Sequence, residues 1–95
     1  MNPVKYARKQ KGLTLAQLAM IAGVSTTRIY QIERGDNARL SAPVVDALAT
    51  LGYDPDKLAT EYEHWRQKQV EKVLRWARSG GAGQGVQAVE TGPSN

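Results

Sequence analysis

Residues 13–35 read LTLAQLAMIAGVSTTRIYQIERG, two short apolar-periodic runs separated by Gly23, Val24 and Ser25. Each run opens on a short polar residue set between apolar ones. Thr14 follows Leu13 and precedes Leu18 by four positions; Ser25 follows Val24 and precedes Ile29 by four. A helix N-cap needs a side-chain oxygen that accepts from the orphan amides of the first turn, and an apolar pair across the cap fixes the chain's entry. Gly23 and Gly35 fall where the two runs stop, at the left-handed C-cap position that glycine adopts without steric cost. The stretch therefore predicts helices over 15–22 and 26–34, joined by a turn of three residues.

The same punctuation continues outward on both sides. Asn2 lies between Met1 and Tyr6, Ser41 between Leu40 and Val45, and Asp54 between Tyr53 and Leu58. Pro3 and Pro55 each follow their cap at the first helical position, where a missing N–H costs nothing. Gly12 and Gly52 supply the matching stops. The expectation is an all-α chain of five helices over 3–11, 15–22, 26–34, 42–51 and 55–78, without strands. Residues 1–54 make one compact unit and 55–78 an extended C-terminal helix. From Ser79 the Gly-rich, aperiodic segment SGGAGQGVQAVETGPSN is expected to be a disordered tail over 79–95.

Composition narrows the function. A chain of 95 residues supports one modest core. It has no Cys and one His, His64, so thiolate chemistry and Cys-based zinc sites are excluded, and a lone His cannot build a metal site. Nothing resembles a catalytic nucleophile, a metal cluster or a phosphate loop; no enzyme activity, catalytic residue, metal or cofactor is expected. There is no apolar run near the ~18 residues of a membrane span and no secretory leader pattern, which points to the cytoplasm and away from a membrane. The net charge of +4 is unevenly placed. Up to Arg39, Lys5, Arg8, Lys9, Lys11, Arg28, Arg34 and Arg39 face only Glu33 and Asp36, whereas bases and acids balance from Leu40 to Arg78. Such a basic segment suits a polyanion partner.

Two helices joined by a three-residue turn containing glycine have the spacing of a helix-turn-helix. The stretch quoted above resembles the phage-repressor and Cro family, often termed XRE-like, over about Val4 to Leu58. Ala19 is small where the second helix approaches the third, and Leu18, Ala22, Val24, Ile29 and Ile32 form their joint core. Thr14 and Gln17 make a capping box. Arg8 and Glu33 stand where the family pairs an Arg of the first helix with a Glu of the third. Leu15 departs from the pattern, standing where many members carry a Gln that holds the DNA backbone. The resemblance implies a five-helix, repressor-like fold and a cytoplasmic, nucleoid-associated transcription regulator of bacterial or phage type, a repressor, whose partner is double-stranded DNA.

At about 100° per residue, Ile29, Ile32 and Glu33 share one side of the 26–34 helix while Thr27, Gln31 and Arg34 share the other. Arg28 and Tyr30 flank that second face, and Thr26 sits at its exposed N-terminal end. The base-contact candidates are Thr26, Thr27, Arg28, Tyr30 and Gln31. Gln can pair bidentately with adenine, Thr can offer its hydroxyl or methyl, and Arg can fork onto guanine. The phosphate-contact candidates are Thr14 and Gln17 at the start of the second helix, Lys5 and Lys9 on the first, and Arg34, Asn37 and Arg39 around the end of the third.

The helix over 55–78 would be about 36 Å long, more than this domain can cover. Leu58, Tyr62, Trp65, Val73 and Trp76 fall on one stripe with Gln69 as its polar interruption, and Val70, Leu74 and Ala77 widen it distally. A stripe that outruns its own domain implies a second surface. The expected interface is a two-fold homodimer through Tyr62, Trp65, Val70, Val73, Leu74 and Trp76. Two alternatives stand beside it: the helix folds back on its own domain, or it binds another protein, as an antitoxin or adaptor would, with DNA binding secondary.

Overall fold

The computed structural model describes residues 1–80 and contains five helices: α1 Pro3–Gln10, α2 Leu15–Ala22, α3 Thr26–Arg34, α4 Ala42–Thr50 and α5 Pro55–Arg78. Among the described residues there is no strand. The fold is all-α, as the punctuation of the sequence predicts. Helices α1 and α4 each stop one residue earlier than expected. Lys11 and Leu51 take the flanking conformation, and the chain reverses at Gly12 and Gly52 with positive φ. The tail expected to be disordered lies, from residue 81, outside the described residues.

The caps are made by the side chains that the sequence nominates, with one exception. Asn2 Oδ1 accepts from the amides of Val4 and Lys5, Thr14 from Gln17, Ser25 from Arg28, and Asp54 from Asp56 and Lys57. Ser41 departs from expectation. Its Oγ is buried and makes no cap hydrogen bond, and α4 is opened by the Ser41 backbone carbonyl, which accepts from Val44 and Val45.

The core is a single cluster in which all five helices take part: Val4 and Ala7 of α1, Leu18 and Ala19 of α2, Ile29 and Ile32 of α3, Val44, Ala47 and Leu48 of α4, Leu58 and Tyr62 of α5. Truncating one of these aliphatic side chains to Ala costs about 2–5 kcal/mol. Helix α2 packs between α3 and α4, and α5 crosses α1 and α4. The compact body ends well before α5 does, which gives extents of 46 × 23 × 21 Å.

That mismatch corrects the reading of the C-terminal stripe. Tyr62, expected on an intermolecular seam, is fully buried inside its own domain, where its hydroxyl donates to the carbonyls of Ile32 at 3.2 Å and Asn37 at 2.8 Å. Trp65 is half-buried against the same core, its ring centroid 5.9 Å from that of Tyr62. The proximal stripe thus folds back on its own domain. Beyond it Val73, Leu74 and Trp76 are 62, 45 and 56 % exposed, with Val70 at the margin.

Candidate nucleic-acid interface

The geometry of α2 and α3 is set by local chemistry at their junction. Gly23 adopts φ 72° and ψ 30°, a conformation that costs an L side chain about 1–2 kcal/mol, and the amide of Val24 returns to the Ala19 carbonyl at 3.0 Å. Ser25 then turns the chain into α3, its Oγ accepting from Arg28 N at 3.1 Å. With Ile29 and Ile32 wholly buried, the rotation of α3 about its axis is fixed.

Two further contacts tie α3 to α1. Arg8 donates from Nε to Glu33 Oε2 at 2.7 Å and from its terminal nitrogen to Oε1 at 3.1 Å, a bidentate pair whose side chains are only 10 and 7 % exposed. Glu33 raises the Arg8 pKa above its ordinary value, first through this hydrogen bond and secondarily through its charge, against the opposing effect of burial. The third nitrogen of the Arg8 guanidinium reaches the Leu13 carbonyl at 2.8 Å, so one side chain from the last turn of α1 joins the start of α2 to the end of α3. Asn2 has a double role that the sequence does not reveal. While its Oδ1 caps α1, its Nδ2 donates to the carbonyls of Ile32 at 3.0 Å and Glu33 at 3.2 Å.

The opposite face of α3 is free. Thr26, Thr27, Arg28 and Tyr30 are exposed, and Gln31, expected to project fully, is half-buried. Among the described residues none of Thr26, Thr27 and Gln31 has its side chain engaged in an intramolecular hydrogen bond. Arg34 is held over the Tyr30 ring at 5.6 Å and lies 3.7 Å from Asp36. Both its partners are themselves exposed, so these contacts are weak and leave the guanidinium available.

The remaining basic and polar candidates are dispersed. Thr14 and Gln17 are exposed and bonded to each other: Gln17 Oε1 accepts from Thr14 N at 2.9 Å and Thr14 Oγ1 from Gln17 N at 3.0 Å. This reciprocal box leaves the Thr14 O–H and the Gln17 amide N–H groups as outward donors. Lys9 and Arg39 are exposed and Lys5 partly so; no hydrogen bond or ion pair among the described residues joins them to α3. The carbonyl of Asn37 is held by Tyr62.

Past the end of α3, Arg34 and Gly35 form one wall of a groove whose other wall is Arg66, Val70, Val73 and Leu74 of α5. The sequence reading passes over Arg66 because bases and acids balance over residues 40–78 as a whole. They do not cancel locally: Arg66, Lys68, Lys72, Arg75 and Arg78 face only Glu71 in the distal half. Among the described residues no group of three or more His, Cys, Asp and Glu side chains could hold a metal ion, and no helix is long and apolar enough to cross a membrane.

Residues 4–58, more than half of the chain, match the profile of the family described as Helix-turn-helix. Comparison with curated proteins and with solved structures finds no match.

Proposed function

We propose, for a chain that belongs to the XRE-type helix-turn-helix family, a family of DNA-binding transcription regulators, that this protein is a sequence-specific repressor that places α3 in the major groove and acts as a two-fold dimer. The observation that carries the reading is the asymmetry of α3. One side is locked by Ile29, Ile32 and Glu33, while on the other the side chains of Thr26, Thr27 and Gln31 make no hydrogen bond among the described residues. Gln31 is the reader of adenine, Thr27 and Thr26 the readers of a thymine methyl or base edge, and Arg28 and Tyr30 flank them. Thr14, Gln17, Lys5, Lys9, Arg34, Asn37 and Arg39 are the phosphate set that positions the reader. Such a regulator works in the cytoplasm on the nucleoid.

The dimer reading rests on Val73, Leu74 and Trp76, which the domain leaves uncovered at the far end of α5. A different protein on the same surface is the competing occupant, as in an antitoxin or adaptor; sedimentation of the purified chain separates the two, since only self-association needs no second component.

The test is selection from a pool of randomised duplexes, followed by titration of the enriched duplex over a range of salt. One sequence class is expected to emerge, and log K is expected to fall with log salt at about −0.9 per phosphate contacted. Enrichment no better than the starting pool overturns the reading.

A further inference from the structure

The carbonyls that end α3 are gripped by side chains from far along the chain. The last four carbonyls of any helix lack intrahelical donors. In α3 and the residues after it, Ile32 O accepts from Asn2 Nδ2 at 3.0 Å and Tyr62 Oη at 3.2 Å, Glu33 O from Asn2 at 3.2 Å, Gly35 O from Arg66 Nε at 3.0 Å, and Asn37 O from Tyr62 at 2.8 Å. Trp65 closes the collar by lying against Gly35, whose φ of +86° makes the left-handed stop. A single turn of α5, with Tyr62, Trp65 and Arg66 at i, i+3 and i+4, thus delivers all three side chains to one end of a nine-residue helix.

We propose that Arg66, supported by Tyr62 and Trp65, is a positioning residue for DNA reading, holding the C-terminal end of α3 at the pose in which Gln31 meets its base. The proposal rests on the base-reading role of α3. At 1.5 Å per residue α3 is about 13 Å long, so releasing its last turn by 1 Å swings the helix by about 4°. A bidentate hydrogen bond tolerates displacements of about 0.5 Å. Gln31 lies one turn from the held end and feels most of that swing, whereas Thr26, beside the Ser25 cap, feels least. Phosphate contacts, made by flexible Lys and Arg side chains, absorb it. Releasing the collar therefore reduces discrimination more than affinity for any duplex.

The chemistry of Arg66 allows this role to be separated from that of a mere surface cation. Its Nε, the atom that reaches Gly35 O, is the fourth atom out from Cα, and so is Nε2 of glutamine. Arg66→Gln keeps a donor at the same reach and removes the charge; Arg66→Met keeps the length and removes both. The probes are the duplex best enriched by the wild-type chain and a scrambled duplex of the same composition, with hydrogen exchange at the Gly35 and Asp36 amides measured without DNA. These amides bond back to Ile32 O and Gln31 O and report the last turn of α3 directly.

The expected result is faster exchange and about tenfold weaker discrimination in Arg66→Met, both restored in Arg66→Gln, with thermal unfolding showing all variants folded at the assay temperature. Tyr62→Phe keeps the ring in the core and removes the other α5 donor, and is expected to move both readouts in the same direction. Equal losses in Arg66→Met and Arg66→Gln mean that the charge itself meets phosphate and overturn the proposal. Unchanged exchange and discrimination in Arg66→Met, with a wild-type chain that does enrich a sequence, overturn it as well and leave the DNA reading standing. A wild-type chain that enriches nothing removes both.

Discussion

The indole ring of Trp65 occupies the space that a side chain on Gly35 would need: a Cβ at Gly35 would sit 2.8 Å from Cζ3 and 2.9 Å from Cη2 of that ring. Gly35 is therefore required twice, for its left-handed φ and for the close approach of α5. Gly35→Ala is expected to lower stability by about 1–3 kcal/mol for the backbone alone, and further because Trp65 must move. Gly12, with φ +68° and nothing within 4 Å of its Cβ position, isolates the backbone component. Urea unfolding checks this. Gly35→Ala should cost clearly more than Gly12→Ala, and the excess should vanish in a Trp65→Ala background, where the two sites no longer couple. Equal costs at both glycines would mean that the contact with Trp65 carries no energy.

Tyr62 links stability to pH at the alkaline end. Burial raises its pKa above the ordinary 10.0, Arg66 opposes that rise, and Asp36 adds to it. The folded state thus prefers the neutral phenol. Its contribution is complete below the unfolded value and is lost as pH rises past that value and through the folded one. Tyr62→Phe removes this linkage together with the hydrogen bonds to Ile32 and Asn37, at a cost of about 1–3 kcal/mol near neutral pH. The stability difference between wild type and Tyr62→Phe should stay constant from neutral pH to about pH 9 and narrow above pH 10. A difference that widens there would reverse the sign assigned to Tyr62.

Much of this architecture is legible in the sequence because its signals are local. Asn2, Thr14, Ser25 and Asp54 cap the helices that follow them by hydrogen bonds spanning two or three residues. The Arg8 and Glu33 pair is long-range, and only the family resemblance makes it visible. What stays hidden is contact between distant segments. Arg66 reaches a carbonyl 31 residues away, and a backbone acceptor leaves no mark on the sequence. Periodicity places Tyr62, Trp65, Val73 and Trp76 on one stripe, but it cannot say where the body of the domain stops covering that stripe. Gln31 is half-buried for a similar reason: a helical wheel gives a direction, and the neighbours decide how deep a side chain sits.

The base-reading face is tested by Thr27→Ala with Gln31→Ala. Neither side chain belongs to the core cluster or holds an intramolecular hydrogen bond among the described residues, so the fold should persist with an unchanged circular dichroism spectrum. Each lost base contact should cost about 1–3 kcal/mol on the enriched duplex. Binding to a scrambled duplex, dominated by phosphates, should barely change. Undiminished discrimination in the double variant would remove these two residues from the reading face.

The last prediction concerns the exposed end of α5. Val73, Leu74 and Trp76 form an apolar surface on a helix whose first half is already used inside the domain. In a two-fold pair they meet their own counterparts. Changing Val73 and Trp76 to Glu then sets like charges against each other in a desolvated seam, and the pair separates. The core residues Leu18, Ile29, Ile32 and Leu48 are untouched, so each domain remains folded. Affinity for a site with two half-sites about 34 Å apart should fall far more than affinity for one half-site, because the second half-site no longer binds as part of one assembly. Sedimentation at micromolar concentration, with and without duplex, gives the direct reading: a wild-type chain that is monomeric in both conditions rules out the pair and leaves the distal surface to a different protein.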